Sequence, residues 1–348
     1  MNPLYIEDLY ILISQYLQLQ QVILQCPSKI HYQWLKNTCW NQRIKLNPHQ
    51  LPILYLKNID LSGTDITNEG LKYLSACHTL DLSDTKITND GLKHLTCHTL
   101  NLSHTKITDE GLKHLTCHTL NLAGTNITDD GLKYLACHTL NLRFTKITDM
   151  GLKHLSCHTL DLFATKITNK GLKHLSACHN LNLGYTKITD DGLKHLSACH
   201  TLDFEGTKIT DKGLKYLSAC HTLNLNHTKI TDEGLKYLSA CHTLDLSGTN
   251  ITNDGLKYLS ACHNLNLAGT NITDDGLKHL SCHTVNLRFT NITDDGLKHL
   301  SCHTVNLSDT KITDKGLKYL SSCHTIHISG TTITDDGLKQ CHNLNIIH

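Results

Sequence analysis

The chain is dominated by one unit of 20–21 residues that occurs fourteen times between residues 59 and 343. One copy, residues 120–139, reads LNLAGTNITDDGLKYLACHT. Self-similarity at this period predicts a solenoid, in which each copy contacts its neighbours and the core grows by one turn at a time. The copies also form an internal alignment, because a position that differs among them stands out against the rest.

Each copy divides into a strand, a corner and a short helix. Leu-Asn/Asp-Leu alternates apolar and polar residues, as a strand with one buried face does. Thr-x-Ile-Thr follows, and we expect the hydroxyl of its first threonine to satisfy buried backbone groups. Asp-x-Gly-Leu-Lys-His/Tyr-Leu then predicts a helix of at most about two turns, which the preceding Thr-Asp can cap. Stacked copies would form one parallel sheet with strands ~4.8 Å apart.

The bulk composition excludes several classes of partner. The net charge is +1, so there is no electrostatic argument for nucleic acid or an acidic membrane. No apolar run approaches the roughly 18–20 residues that span a bilayer. Glu7 and Asp8 stand where a secretory signal would carry basic residues. We expect a soluble protein of the cytoplasm or nucleus, with no nucleic-acid or membrane partner.

Cysteine and histidine recur with the unit. Fourteen of the sixteen cysteines occur once per copy, each followed by histidine: Cys77, Cys97, Cys117, Cys137, Cys157, Cys178, Cys199, Cys220, Cys241, Cys262, Cys282, Cys302, Cys323 and Cys341. A cysteine at a fixed place in every turn behaves as a small core residue, and so many free thiols fit a reducing compartment. Strict alternation back from Leu80 would point Cys77 outward, so we expect a bend at Cys-His that buries the cysteine and exposes the histidine.

A metal ladder along these Cys-His pairs is the alternative reading. Zinc needs four converging ligands, whereas neighbouring residues in extended chain point to opposite sides. No nucleophile elbow, phosphate loop or unique carboxylate pair occurs elsewhere. The sequence therefore predicts no metal site, no cofactor, no catalytic residue and no enzymatic activity.

The pattern Leu-x-Leu-x-x-Thr-x-Ile resembles the leucine-rich repeat family, with threonine where that family usually has asparagine or cysteine. The Ile-Thr-Asp-x-Gly-Leu stretch and the cysteine after the helix look like the cysteine-containing subclass that is common in F-box proteins, although the copies here are several residues shorter. The resemblance implies an α/β solenoid over residues 59–348: an arc of about 14 short repeats, with a parallel sheet on its concave face and a protein partner held there.

The N-terminal segment differs in composition from the repeats. All four prolines and both tryptophans lie before residue 53, so we place a module at residues 1–50 and a junction at 51–58. Residues 4–24 carry apolar residues at helical spacing, and with the Cys and Trp that follow they resemble a degenerate F-box. The resemblance implies that this module contacts a ligase adaptor through Leu4, Leu9, Leu12, Ile13, Tyr16 and Leu17. The alternative is a simple cap on the first repeat.

The function that the resemblance implies is recognition of a substrate protein for an SCF-type (cullin-RING) ubiquitin ligase. The regular repeats and short F-box are also similar to F-box/leucine-rich-repeat proteins of giant DNA viruses, which would act in the host cell. The alternative is a binding scaffold that works independently of a ligase.

The two residues after each Leu-x-Leu, hereafter the turn pair, vary most among the copies. Most turn pairs are small, such as Ser-Gly or Ala-Gly. The exceptions predict a partner-binding site on the concave face: Arg143, Phe144, Phe163, Tyr185, Glu205, His227, Arg288 and Phe289. Aromatic residues and arginine anchor interfaces. Neutral substitution at tolerant positions is the alternative, and residues 265–290 nearly duplicate residues 120–145, so the second Arg-Phe is not an independent observation.

The C-terminal end lacks a polar cap in the sequence. The last unit is three residues shorter before Cys341, and LNIIH at 344–348 looks like one more strand. An open apolar end predicts self-association or fraying.

Overall fold

The computed structural model describes residues 23–24, 58–72, 74–75, 77–339 and 345–347. These belong to two units, of which the first ends at Asp161 and the second begins at Leu162. The predicted adaptor-binding residues Leu4, Leu9, Leu12, Ile13, Tyr16 and Leu17 lie outside the described residues.

Both units are built on a sheet whose repeat strands run parallel in chain order, as the sequence predicted, and β1 joins the first unit antiparallel. The strands of the first unit are β1 (Ile23–Leu24), β2 (Asn58–Asp60), β3 (Thr79–Asp81), β4 (Thr99–Asn101), β5 (Thr119–Asn121), β6 (Thr139–Asn141) and β7 (Thr159–Asp161). Those of the second are β8 (Asn180–Asn182), β9 (Thr201–Asp203), β10 (Thr222–Asn224), β11 (Thr243–Asp245), β12 (Asn264–Asn266), β13 (Thr284–Asn286), β14 (Thr304–Asn306), β15 (Thr325–His327) and β16 (Asn345–Ile347). From β2 onward within each unit, equivalent residues pair in register.

Short helical turns follow the corners. Six are α-helical: Asn68–Leu71, Asn89–Leu92, Asp109–Leu112, Asp211–Leu214, Asp232–Leu235 and Asp335–Leu338. The others are 3₁₀ turns: Asp129–Tyr134, Leu152–His154, Leu172–His174, Asp190–His195, Asn253–Tyr258, Asp274–His279, Leu297–His299 and Asp314–Tyr319. None of these described turns exceeds six residues, which confirms the predicted upper limit of about two turns.

The core of each copy consists of the strand leucines, the corner isoleucine, the helix leucines and the cysteine. In the copy that starts at β3, Leu80, Leu82, Ile87 and Leu92 are all buried. All thirteen described repeat cysteines are also buried, so the predicted bend at Cys-His is confirmed. Burial raises the pKa of the Cys97 thiol to about 12, so it stays protonated and packs as a small apolar group.

The first threonine of each corner closes the turn onto the strand. The hydroxyl of Thr85 donates to the backbone oxygen of Leu82 at 2.6 Å, and that of Thr186 donates to Leu183 at the same distance. Both threonines are buried. The prediction that this column satisfies buried backbone groups is confirmed.

The second threonine and the following Asp or Asn tie adjacent copies together. The Asp211 carboxylate accepts from the backbone N–H of Thr231 at 2.8 Å and from its hydroxyl at 2.6 Å. Asn253 makes the same pair of contacts with Thr273, its amide nitrogen donating to the hydroxyl. Among the described helical turns, the predicted cap within a copy occurs at Thr67, Thr313 and Thr334. Thr148 and Thr168 also accept from the backbone N–H two residues on, at 3.4 Å. At Thr88 and the remaining described turns the predicted cap is wrong. There the hydroxyl contacts the Asp or Asn of the preceding copy, a contact that Thr313 and Thr334 make as well.

We expect Asp211→Ala to lower the free energy of unfolding by about 1–2 kcal/mol, since the Thr231 N–H and hydroxyl both lose their acceptor. Urea unfolding followed by circular dichroism measures the change. Asp211→Asn is the matched control, because Asn253 supports the same contacts naturally. Equal losses in the two variants would contradict this role.

Candidate protein-interaction surface

The second residue of every turn pair in the described copies adopts the left-handed backbone conformation. Six are glycines: Gly63, Gly124, Gly206, Gly248, Gly269 and Gly330. Eight are not: Asp84, His104, Phe144, Ala164, Tyr185, His227, Phe289 and Asp309, with φ between 53° and 57°. Glycine adopts this conformation freely, and Asp and His tolerate it better than aromatic residues do.

The strand's central Asn or Asp holds the turn pair in place. The side-chain oxygen of Asn141 accepts from the backbone N–H of Arg143 at 3.0 Å, and Asp203 does the same for Glu205 at 2.9 Å. The alternation of apolar and polar residues predicted that this column lies on the exposed face of the strand, but not that it holds the turn pair. The Asx-turn preference of Asn and Asp two residues before a corner was the available signal.

Three of the left-handed residues are exposed aromatics. The exposed fractions of Phe144, Tyr185 and Phe289 are 56%, 52% and 58%. A left-handed non-glycine residue costs roughly 1–2 kcal/mol, and an exposed ring recovers little of this by burial. Copies with glycine avoid the cost, so stability does not account for the aromatics. This position is poorly tolerant of aromatic residues, which weakens the interpretation as neutral substitution.

In both Arg-Phe turn pairs the arginine contacts the following ring and a carboxylate of the next copy. The guanidinium carbon of Arg143 lies 5.7 Å from the centroid of the Phe144 ring, and its Nη1 lies 3.6 Å from Oδ2 of Asp161. Arg288 lies 4.4 Å from the Phe289 centroid, and its Nε lies 2.8 Å from Oδ2 of Asp309. Each arginine is thus held between a ring and a carboxylate of the chain itself.

Phe163 and Tyr185 form an aromatic pair in the second unit. Their ring centroids are 5.1 Å apart and the rings are tilted by 55°. Glycines make room for them: a Cβ at Gly184 would lie 2.8 Å from Phe163, and one at Gly206 would lie 3.0 Å from Tyr185. The two rings therefore lean over the next copy of the repeat.

The remaining predicted residues lie on the same type of turn. Glu205 is half-buried, and its backbone oxygen accepts from the N–H of Tyr185 at 2.7 Å. His227 is exposed, and its ring lies over Gly248. The first unit thus contains the pair Arg143–Phe144. The second contains Phe163–Tyr185, Glu205, His227 and the pair Arg288–Phe289.

A groove of about 440 Å³ lies on the exposed sheet face of the second unit. Threonine and Asn/Asp side chains of β9 to β13 line it, among them Thr222, Asp203, Asp245 and Asn266. In a strand these two positions share one face. The alternation within Leu-Asn/Asp-Leu predicted the exposure of the Asn/Asp column, but nothing in the sequence singled out the strand threonines such as Thr222.

The histidines after the buried cysteines form a stacked column in each unit. Successive rings, for example His98 and His118, lie 4.6–4.7 Å apart and are nearly parallel in the first unit. Desolvation, followed by repulsion from neighbouring histidines, lowers the pKa of His118 and His200. Within the described part of the chain, no three His, Cys, Asp or Glu side chains are grouped so that they could hold a metal ion.

The repeated strand, corner and helical turn around a leucine core define a leucine-rich-repeat solenoid. The family model described as "Leucine Rich repeat" matches residues 54–75, 78–95, 98–115, 118–136, 179–197, 200–218, 221–239, 242–260, 263–281, 283–301 and 303–321. These ranges cover more than half of the chain, so it belongs to the leucine-rich repeat family. Proteins built from such repeats are interaction scaffolds with extended binding surfaces.

Several solved structures share this fold. An internalin from Listeria monocytogenes aligns with a TM-score of 0.57 and 23% identity over 83% of this chain and 86% of its own. A leucine-rich-repeat protein of Leptospira interrogans aligns with a TM-score of 0.54 and 18% identity over 88% of this chain and 93% of its own. A third structure is the ectodomain of the plant receptor kinase GASSHO1/SCHENGEN3 from Arabidopsis thaliana in complex with CASPARIAN STRIP INTEGRITY FACTOR 2. It aligns with a TM-score of 0.52 and 16% identity over 80% of this chain and 39% of its own.

Among curated proteins, none matches this chain in sequence. Within the described residues there is also no helix of the length and apolar character needed to cross a membrane.

We expect Ala164→Gly to raise the free energy of unfolding by about 0.5–1 kcal/mol, because relief of left-handed strain exceeds the entropy that glycine adds to the unfolded chain. Ala268→Gly is the control. Ala268 is also half-buried in a turn pair of the same unit but has an ordinary φ, so its replacement should destabilise the protein. Urea midpoints measure both, and a loss of stability in both variants would refute the argument from strain.

The stacked histidines predict a loss of stability on acidification. The pKa values of His118, His200, His242 and His303 are lowered in the folded state, so the unfolded chain binds protons first as pH falls. Their contribution is complete above the ordinary value of 6.5 and is lost as pH falls from there through the folded values.

Urea midpoints at about pH 7.5 and about pH 5.5 measure this loss. His200→Asn with His242→Asn should make the midpoint less dependent on pH. An unchanged pH dependence in that variant would assign the effect to other groups.

Proposed function

We propose that this protein is the substrate-recognition subunit of an SCF-type ubiquitin ligase, with the turn pairs holding a substrate protein and residues 1–50 docking on the ligase adaptor. The proposal is carried by the exposed aromatics at Phe144, Tyr185 and Phe289, which occupy a backbone conformation that disfavours them. Large rings with few rotatable bonds anchor protein interfaces at low entropic cost.

Repeat composition and the N-terminal pattern support the ligase role. The buried cysteine column matches the cysteine-containing repeat subclass, and the apolar spacing of residues 4–24 resembles an F-box. Such a protein would act in the cytoplasm or nucleus, in the host cell if a virus encodes it. The plant receptor ectodomain in complex with its named factor is an example of a similar fold that binds a partner.

A second candidate is a ligase-independent binding scaffold whose N-terminal segment serves as a cap. One contact favours it: β1 pairs antiparallel with β2, with Ile23 opposite Asp60 and Leu24 opposite Ile59. This pairing covers the edge of the first repeat strand, which would otherwise present unpaired backbone groups. Ile23 and Leu24, the last residues of the stretch 4–24 whose apolar spacing indicates a helix, are thus in a strand.

The predicted self-association at the C-terminal end stays a prediction. Strand β16 pairs with β15, and Ile347 on β16 is 40% exposed. Leu344 and His348 lie outside the described residues.

Binding of the purified full-length chain to the ligase adaptor distinguishes the two candidates. We expect a dissociation constant in the micromolar range or below. Replacement of Leu9, Leu12 and Leu17 by aspartate should raise this constant by at least about tenfold. Phe144→Gly with Phe289→Gly is the matched control, which should keep adaptor binding and lose capture of the substrate protein. Absence of adaptor binding by the intact chain would refute the ligase role and leave the scaffold.

A further inference from the structure

We propose that Phe163, Tyr185, Asp203 and Glu205 form a subsite for an arginine side chain of the protein partner. This inference rests on the proposed function, because it names the chemistry that one part of the turn surface recognises. All four residues belong to the second unit. Two arginines of the chain itself are each held by a ring and a carboxylate of this surface.

The two Arg-Phe turn pairs show what this turn geometry binds. In each, a guanidinium lies against an exposed, left-handed phenylalanine and pairs with a carboxylate of the next copy. An aromatic face attracts a cation, and the carboxylate adds a charge-assisted contact. Arg143 with Phe144 and Asp161 is hereafter the template.

Tyr185 occupies the position of Phe144 in its own copy. Both follow Leu-Asn-Leu by two residues and have positive φ. Strand register places the carboxylates equivalently: Asn141 pairs with Asp161, and Asn182 pairs with Asp203. The residue before Tyr185, however, is Gly184, where the template has Arg143. The ring and the carboxylate are thus retained, and the arginine is missing.

Charge and ring placement both favour an external cation. In the part of the chain that the structure describes, no ion pair involves Asp203 or Glu205. Glu205 is adjacent to Gly206, over which the Tyr185 ring lies. Phe163, 5.1 Å from Tyr185, packs against the ring and limits its rotation. Strand register and sequence place both carboxylates on the copy over which the 52% exposed Tyr185 ring leans, which makes a site for a positive group.

Arginine fits this site better than lysine. A guanidinium is planar, so it stacks on a ring while its N–H groups donate to carboxylate oxygens. On the turn pairs both internal examples use arginine, whereas the lysine–tyrosine ring contacts, such as Lys236 with Tyr237, lie at the helical turns. The arginine would come from the partner, since Gly184 provides no side chain and the Phe163 ring lies over it.

The test uses the full chain labelled with fluorotyrosine and observed by fluorine NMR. The chain has twelve tyrosines, and the Tyr185→Phe variant identifies the Tyr185 signal by its loss. N-acetyl-arginine amide should shift that signal at millimolar concentration. N-acetyl-citrulline amide, its neutral isostere, should not. Asp203→Asn with Glu205→Gln should weaken the response to the arginine probe by about fivefold or more.

A second variant supplies the missing side chain. Gly184→Arg with Phe163→Ala recreates the template, in which Ala123 and Arg143 occupy these positions, and should abolish the response. Asparagine already stands at the Asp203 position in neighbouring copies, so the carboxylate variant keeps the inference testable even if the arginine variant fails to fold. Equal shifts with both probes, or an unchanged response in the carboxylate variant, would overturn the subsite. Adaptor binding with no arginine response would overturn the subsite alone and leave the proposed function standing.

Discussion

In-register parallel pairing is the constraint on which the rest of the structure depends. Equivalent residues pair from strand to strand, so each position of the repeat forms a column. Within a column, a side chain lies next to the equivalent side chains of the neighbouring copies. A column must therefore consist of a residue that tolerates itself as a neighbour. Leucine and a protonated cysteine do so by packing, and neutral histidine does so by stacking. Aspartate does so because threonine of the next copy donates to it twice.

The turn pair is where this uniformity is broken. Its second residue is left-handed in every described copy, so glycine is the least costly choice and an exposed aromatic is among the most costly. Function and stability thus oppose each other at single positions, and the same positions bear the proposed partner contacts. Such conflicts between local preference and fold are typical of functional sites.

Much of the fold could be predicted from the repeat itself. Period, strand, corner and short helix followed from spacing, and the burial of Cys97 followed from the expected bend. The contacts between copies could not be predicted in the same way. That Asp211 serves Thr231 of the next copy, and not its own helix, depends on how the turns stack. The ion pair between Arg143 and Asp161 could not be predicted either, because their separation in the sequence does not show that the two side chains meet.

Residues 265–290 nearly duplicate residues 120–145, so the Arg-Phe turn pair occurs twice in two different surroundings. The copied arginine kept its ring but changed its carboxylate: Arg143 uses the strand residue Asp161, whereas Arg288 uses the turn residue Asp309. The strand position that corresponds to Asp161 in the second case is Asn306. After duplication, the arginine of an Arg-Phe turn pair can thus pair with a carboxylate at another position of its new neighbouring copy. In such a chain, recombination between repeats is a way to change the valency of a binding protein while the scaffold stays the same.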